Sequence, residues 1–191
     1  KCIFRQNFSA MIYGIDQFKY QDVLEILKNP SKAQLNEQSK DQIIKSQQNV
    51  QQIVASDRTV YGINTGFGPL CDVKISEEET AQLQHNLIIS HAVGVGKPIQ
   101  KDISKIMMIS KIHALSKGFS GVSLDVIERL ILMLELDIIP VVPEQGSVGA
   151  SGDLAPLAHL VLPLLGLGQV WVNDEIKVTS EVLEKHNIQP L

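Results

Sequence analysis

Cysteine, aromatic residues and long apolar runs are all scarce in this sequence. Only two cysteines, Cys2 and Cys71, occur among 191 residues, so a disulfide framework is excluded, and their spacing does not match a zinc site. The best apolar stretch, residues 154–167, is interrupted by two prolines and a glycine, which argues against a membrane span. The first ten residues also lack the apolar core of a signal peptide. We therefore expect a soluble, cytoplasmic protein that does not bind membranes.

Positive charge is in slight deficit. The chain has 17 Lys and Arg against 21 Asp and Glu, a net charge of −4, and so lacks the basic footprint of a nucleic-acid-binding protein. The hydrophobic fraction of 44% together with this small net charge excludes intrinsic disorder. A length of 191 residues fits one or two ordinary domains.

Helical periodicity dominates what is present, and it predicts a mainly α fold with one small β-hairpin. The predicted helices cover residues 20–28, 39–55, 76–94, 102–117, 123–136 and a segment that starts at Asp153. Ser76 and Glu79 have the spacing of a capping box. Alternation around Asn173 and Asp174 predicts the hairpin over residues 170–178. Residues 60–68 predict a short extended segment that opens into a flexible loop, and residues 138–142 another extended stretch.

The glycine-rich segments do not match nucleotide, hydrolase or metal motifs. Residues 94–97 (GVGK) lack the first glycine and the final Ser or Thr of a phosphate loop. Residues 149–153 (GASGD) have Asp153 where a nucleophile elbow needs its second glycine, two residues after the serine. The five histidines are scattered without zinc-ligand spacing. We therefore expect neither a metal nor a nucleotide.

The tripeptide Ala150-Ser151-Gly152 permits an unusual backbone reaction. The amide nitrogen of Gly152 could attack the carbonyl carbon of Ala150, because glycine combines backbone freedom with an unhindered nitrogen. Ser151 could then lose its hydroxyl, and loss of two waters in total would give an electrophilic methylidene-imidazolone. Asp153 could cap the following helix, whose N-terminus has positive potential. The alternative is a glycine-rich helix start at which no reaction takes place. The tripeptide taken alone favours this alternative, because Ala-Ser-Gly is a common sequence.

Three longer motifs, in a fixed order, resemble those of the aromatic amino acid ammonia-lyase family. Residues 146–159 (GSVGASGDLAPLAH) resemble the signature whose Ala-Ser-Gly forms 4-methylidene-imidazol-5-one (MIO) autocatalytically. Residues 61–68 (YGINTGFG) resemble the loop with the catalytic tyrosine, and residues 86–96 (NLIISHAVGVG) the helix that contacts the substrate side chain. The resemblance implies that residues 11–191 are the N-terminal part of a fumarase/aspartase-like helical lyase fold. Residues 1–10 would be a non-native or upstream extension.

The same resemblance implies roles for individual residues. Tyr61 corresponds to the general base, and the doublet Ser90-His91 to the position that reads the substrate ring. This doublet resembles histidine-type members, whereas phenylalanine-type members tend to have Phe-Leu and tyrosine-type members His-Leu. Asn64 would shape the loop, and Asp153 would hold the ring geometry. The structural alternatives are a packed turn tyrosine at Tyr61 and, at His91, a histidine that satisfies a helix C-terminus.

The resemblance further implies non-oxidative deamination of L-histidine to trans-urocanate and ammonia by a homotetramer. Family members carry additional active-site residues beyond the stretch that these 191 residues match, so we expect the chain alone to be inactive. Two alternatives stay open. One is a tyrosine or phenylalanine ammonia-lyase or an aminomutase, and the other is a non-enzymatic helical module of the same fold.

Overall fold

The computed structural model describes residues 10–56, 58–66, 75, 77–147 and 154–191. Within these ranges the chain forms seven α-helices and seven short strands, so the mainly α prediction is confirmed. The helices are α1 (Tyr20–Lys28), α2 (Glu37–Val54), α3 (Glu77–His91), α4 (Lys101–Leu115), α5 (Leu124–Glu135), α6 (Leu154–Val161) and α7 (Thr179–Lys185). The strands are β1 (Met11–Ile12), β2 (Ala33–Gln34), β3 (Val95–Pro98), β4 (Ile139–Pro140), β5 (Pro143–Gln145), β6 (Gln169–Val172) and β7 (Glu175–Val178). The predicted capping residue Ser76 lies outside the described residues.

Local side-chain chemistry explains where several helices begin and end. The side chain of Asn36 accepts a hydrogen bond from the Ser39 amide at 2.8 Å and thereby caps α2. Asn29 follows α1, and its side chain accepts from the Ser31 amide at the start of a 3-10 turn that has Pro30 in its first position. Helix α1 therefore ends at Lys28, which is the predicted end.

The core lies between α4 and α5. The side chains of Met108, Ile109 and Ile112 on α4 and of Ile127 and Leu130 on α5 are fully buried. Residues 123–136 are apolar on nearly every side, yet Leu132 on the outer side of α5 is 37% exposed, so α5 buries one stripe only. Helices α1 and α6 and strand β4 also contact α4, which makes α4 the central element of the described structure.

The strands form three small sheets. Strands β6 and β7 are the predicted hairpin, and Asn173 and Asp174 between them have φ values of 49° and 62°. Two consecutive residues with positive φ are typical of the type I′ turn, whose twist suits a hairpin. Strand β4 adds to β6 in an antiparallel pair, and β1 pairs with β2 in parallel. Strand β3 pairs antiparallel with β5, which the sequence did not predict, and helix α7 was not predicted either.

Within the described part of the chain, no helix combines the length and the apolar character that a bilayer crossing requires.

His113 on α4 connects the core to the segment that follows β1. Its Nδ1 accepts a hydrogen bond from the Gly14 amide at 3.2 Å, and its ring stacks on Phe18 with 4.2 Å between the centroids. Burial and the nearby Lys117 lower the pKa of His113, while Asp16 acts in the opposite direction. The folded state therefore favours the neutral ring, which is also the form that can accept from Gly14.

We predict that the free energy of unfolding decreases as the pH falls below about 6.5, the ordinary histidine value. In that range the unfolded chain binds the proton more readily than the folded chain, so acid shifts the equilibrium toward unfolding. Urea denaturation at pH 7.5 and pH 5.5 measures the change. His113→Asn keeps an acceptor but does not titrate, and it should show a smaller decrease. An equal decrease in the variant would contradict the prediction.

Candidate active site

A cavity of about 500 Å³ lies between helices α3 and α6. Three of its lining side chains carry polar atoms, namely Tyr61, His91 and Lys111. The other lining residues are apolar: Leu87, Ile88, Leu154, Leu157, Ala158 and Val161. A concave, mainly apolar cavity with a few convergent polar groups is the usual form of a small-molecule site. The two predicted side-chain positions Tyr61 and His91 are thus brought together.

Tyr61 lies on a turn that Asn64 closes. The side chain of Asn64 is buried, accepts from the Val60 amide at 2.8 Å and donates to the Arg58 carbonyl at 2.8 Å. The Ile63 amide donates to the Val60 carbonyl, and Gly62 has a φ of 78°, which glycine adopts without strain. Tyr61 itself is 64% exposed at the rim of the cavity.

The prediction of an extended segment at the start of residues 60–68 is wrong. Residues 61–63 form a turn instead. The reason is the Asn64 side chain, which bonds to two backbone groups upstream and folds the chain back, as asparagine does in turns. Residues 67 and 68 lie outside the described residues.

His91 is the last residue of α3, and its ring is oriented by its own helix. Its Nδ1 lies 2.8 Å from the Leu87 carbonyl oxygen. Because a carbonyl only accepts, Nδ1 carries the hydrogen, and Nε2 of the neutral ring is the acceptor. The ring is therefore held by a backbone carbonyl of its own helix and also lines the cavity.

Ser90 does not line the cavity. Its hydroxyl donates to the Leu87 carbonyl at 3.0 Å, and its oxygen lies 3.2 Å from His91 Nδ1. Of the predicted doublet, only His91 lines the cavity. Ser90 contacts the Leu87 carbonyl, which His91 also contacts, and the His91 ring itself.

The predicted electrophile-forming residues Ala150, Ser151 and Gly152 lie outside the described residues, as does Asp153. The structure resumes at Leu154, the first residue of α6, which is 52% exposed and lines the cavity. Four residues of α6 form one wall of the cavity: Leu154, Leu157, Ala158 and Val161. The described part of the chain contains no group of three or more His, Cys, Asp or Glu side chains that could hold a metal.

Lys111 was missed at the sequence level. It belongs to α4, which the motifs did not connect with a site. A signal was present in the helical spacing, because Lys111 shares a stripe with Ser104, Met108 and Leu115, of which Ser104 and Met108 are fully buried. A lysine on a helix stripe whose other residues face the interior indicates that its side chain lies beside a cavity.

We predict that Asn64→Ala destabilises the Tyr61 turn by about 1–3 kcal/mol, because the Val60 amide and the Arg58 carbonyl lose their partner. Hydrogen exchange at the Val60 amide measures the effect, which should be faster exchange in the variant.

Gln82→Ala is the matched control, since it removes an exposed amide hydrogen bond of the same length, 2.8 Å, to Asn86. It should change stability by less than about 0.5 kcal/mol. Unchanged Val60 exchange in Asn64→Ala would show that the turn is held by other contacts.

The sequence and the fold both match known proteins. The model of a protein family described as aromatic amino acid lyase matches residues 18–191 of the chain. Over 170 residues the chain is 48% identical to the histidine ammonia-lyase of Shouchella clausii. This match covers 89% of this chain and 34% of that protein. The chain spans about a third of the length of the relatives that it matches.

Two solved structures extend the likeness to three dimensions. The crystal structure of histidine ammonia-lyase from Trypanosoma cruzi gives a TM-score of 0.84 at 28% identity, over 96% of this chain and 34% of that chain. The crystal structure of tyrosine aminomutase from Streptomyces globisporus gives a TM-score of 0.87 at 28% identity, and the match covers 96% of this chain and 34% of that chain. The helical arrangement described above is thus that of helical lyases.

Proposed function

Because the chain belongs to the aromatic amino acid lyase family, we propose that the complete natural polypeptide containing these residues converts L-histidine to trans-urocanate and ammonia without oxidation. The observation that carries the proposal is the cavity that brings Tyr61 and His91 together beside the start of α6. The names of relatives that are 42–48% identical to the chain support histidine as the substrate.

The proposed prosthetic group is MIO formed from Ala150, Ser151 and Gly152. Gly152 precedes Leu154 by two residues, so covalent geometry keeps their Cα atoms within about 7.6 Å of each other. Leu154 lines the cavity, and the mainly apolar lining fits an uncharged five-membered ring. When formed, the group would supply an electrophilic carbon that makes the amino nitrogen of the substrate a better leaving group. Asp153 would hold the geometry of this segment.

His91 would bind the imidazole end of the substrate. Its Nδ1 hydrogen faces the Leu87 carbonyl, so Nε2 offers an acceptor and requires a ligand that donates. The N–H of an imidazole meets this requirement, whereas a phenyl ring has no donor. A phenol also donates, so this contact separates histidine from phenylalanine more sharply than from tyrosine.

Tyr61 would take the β-proton of the substrate. A general base must come within hydrogen-bond reach of the proton that it removes, and the turn held by Asn64 presents the phenol at the rim of the cavity. The apolar α6 wall would limit water beside the reacting atoms. Ser90, bonded to the Leu87 carbonyl, would help to keep the His91 ring in place.

We further propose that residues 11–191 are a portion of one ammonia-lyase domain, that the active form is a cytoplasmic homotetramer, and that the 191 residues alone do not turn over histidine. The support for the last point is that the chain matches about a third of the length of its relatives. Detectable turnover by the isolated chain would contradict it.

A tyrosine- or phenylalanine-specific lyase or aminomutase is the second candidate. It is supported by the tyrosine aminomutase whose fold this chain matches. A non-enzymatic module of the same fold is the third, and it requires that the tripeptide never dehydrates.

We predict that the complete polypeptide deaminates histidine in preference to tyrosine and phenylalanine, measured by the absorbance of the unsaturated product. His91→Phe should raise KM for histidine about 5- to 100-fold, because a buried substrate N–H left without an acceptor costs about 1–3 kcal/mol. His85→Phe is the matched control, since His85 is an exposed residue of the same helix and does not line the cavity. Turnover of phenylalanine but not histidine would contradict the assignment.

We predict that the intact mass of the complete polypeptide is lower than the encoded mass by two water molecules. Ser151→Ala should reduce this difference by at least one water molecule, because the alanine has no hydroxyl to lose. Tyr61→Phe should preserve the difference and lower kcat about 10²- to 10⁴-fold, the usual contribution of a general base. An unmodified mass in the wild type would support the non-enzymatic module.

A further inference from the structure

The end of α3 and helix α6 are joined by one hydrogen bond between a side chain and the backbone. The Gly94 amide donates to Nε2 of His159 at 3.0 Å, across 65 positions of sequence. Gly94 follows His91 by three residues and directly precedes Val95, the first residue of β3. His159 lies on α6 next to the cavity residue Ala158. The bond therefore connects α6 to the segment that follows α3, and both helices line the cavity.

The junction has no spare room. A Cβ added to Gly94 would lie 3.0 Å from Nε2 of His159 and 3.2 Å from the Cβ of Pro143. A Cβ added to Gly146 would lie 3.1 Å from the Gly94 Cα and 3.2 Å from the Cβ of Ala155. A Cβ at either position would require its neighbours to move by a few tenths of an ångström, so glycine suits both positions. Gly146 and Gly94 thus approach each other backbone to backbone, with the Ala155 side chain of α6 beside them.

The hydrogen bond requires one form of the imidazole. A backbone amide only donates, so Nε2 of His159 accepts and Nδ1 carries the hydrogen. Burial lowers the pKa of His159, which favours this neutral form. The acceptor of His159 is thus used within the fold, and His159 is not among the residues that line the cavity.

We propose that His159 is a positioning residue that sets the spacing between the α3 wall and the α6 wall of the cavity. The proposal rests on the function proposed above for that cavity. His159 holds Leu157 and Ala158 opposite Leu87 and His91 by accepting from Gly94. A substrate bound between the walls would meet the His91 ring and the side chains of Leu157 and Ala158 at a set separation, and small errors in such a separation lower the rate strongly.

The first test compares two substitutions in the complete natural polypeptide. His159→Gln retains an acceptor near the position of Nε2, and His159→Met has a similar length without a strong acceptor. Kinetics are measured at a temperature at which circular dichroism shows both variants to be folded. We expect His159→Met to lower kcat/KM about 10- to 100-fold and His159→Gln to stay within about threefold of the wild type. Wild-type kcat and KM in His159→Met, with only a lower unfolding midpoint, would reduce His159 to a structural residue and overturn the proposal.

The second test is a double-mutant cycle on the close contact. Gly94→Ala places a methyl group against the imidazole and should lower kcat/KM about tenfold or more. His159→Ala removes the ring that this methyl group meets and leaves only its contact with Pro143, so the loss in the double variant should be smaller than the product of the two single losses. Independent, multiplicative losses would mean that the two residues do not act through their contact, and would overturn the proposal.

A third measurement does not depend on activity. Hydrogen–deuterium exchange of a peptide that contains Gly94 should be faster in His159→Met than in the wild type and restored in His159→Gln. Equal exchange in all three proteins would overturn the proposal even if histidine is turned over. Absence of histidine turnover by the wild type would instead contradict the proposed function, while the exchange data would still decide whether His159 holds Gly94.

Discussion

Helix α4 packs against helix α5 along a seam of fully buried apolar side chains, and the neighbouring elements are placed by their contacts with this pair. Met108 and Ile112 of α4 and Ile127 and Leu130 of α5 belong to this buried cluster. Full burial of such a side chain contributes about 1.5–3 kcal/mol, so the seam outweighs any single polar contact in the molecule. Helix α6 also contacts α4, and Lys111 is on the same helix as the seam. The position of the cavity therefore depends on the core.

The polar groups around the cavity are oriented by backbone partners. Asn64 bonds to the backbone of Arg58 and Val60. The rings of His91 and His159 face opposite kinds of backbone group, a carbonyl and an amide. His91 faces a carbonyl through Nδ1, which leaves its acceptor for a ligand. Nε2 of His159 accepts from the Gly94 amide, so this nitrogen already has a partner within the chain. The backbone group that each histidine faces thus determines which ring nitrogen carries the hydrogen and which nitrogen is left to accept.

The helices were predictable because their signals are local. Helix α1 has the predicted bounds, and the hairpin of β6 and β7 follows from a turn at Asn173 and Asp174 that both residues support with positive φ. Pairing of β3 with β5 was not predictable, since the four residues of β3 are all exposed and their partners are more than 40 positions away. Helix α7 has seven residues, too few to display a helical period. The turn at Tyr61 was mistaken for extended chain because a single side chain, Asn64, decides it.

The sequence by itself determined the family and the candidate chemistry. Three motifs in order, with a tripeptide able to cyclise, were enough to indicate a lyase and to single out Tyr61 and His91. Only the tertiary structure decided that these two side chains and Lys111 line one cavity, which nitrogen of His91 accepts, and that His159 is bound to Gly94. The physical reason is that these groups come from elements far apart in the chain. Their proximity results from burial of the apolar faces of the helices, and local residue spacing does not encode it.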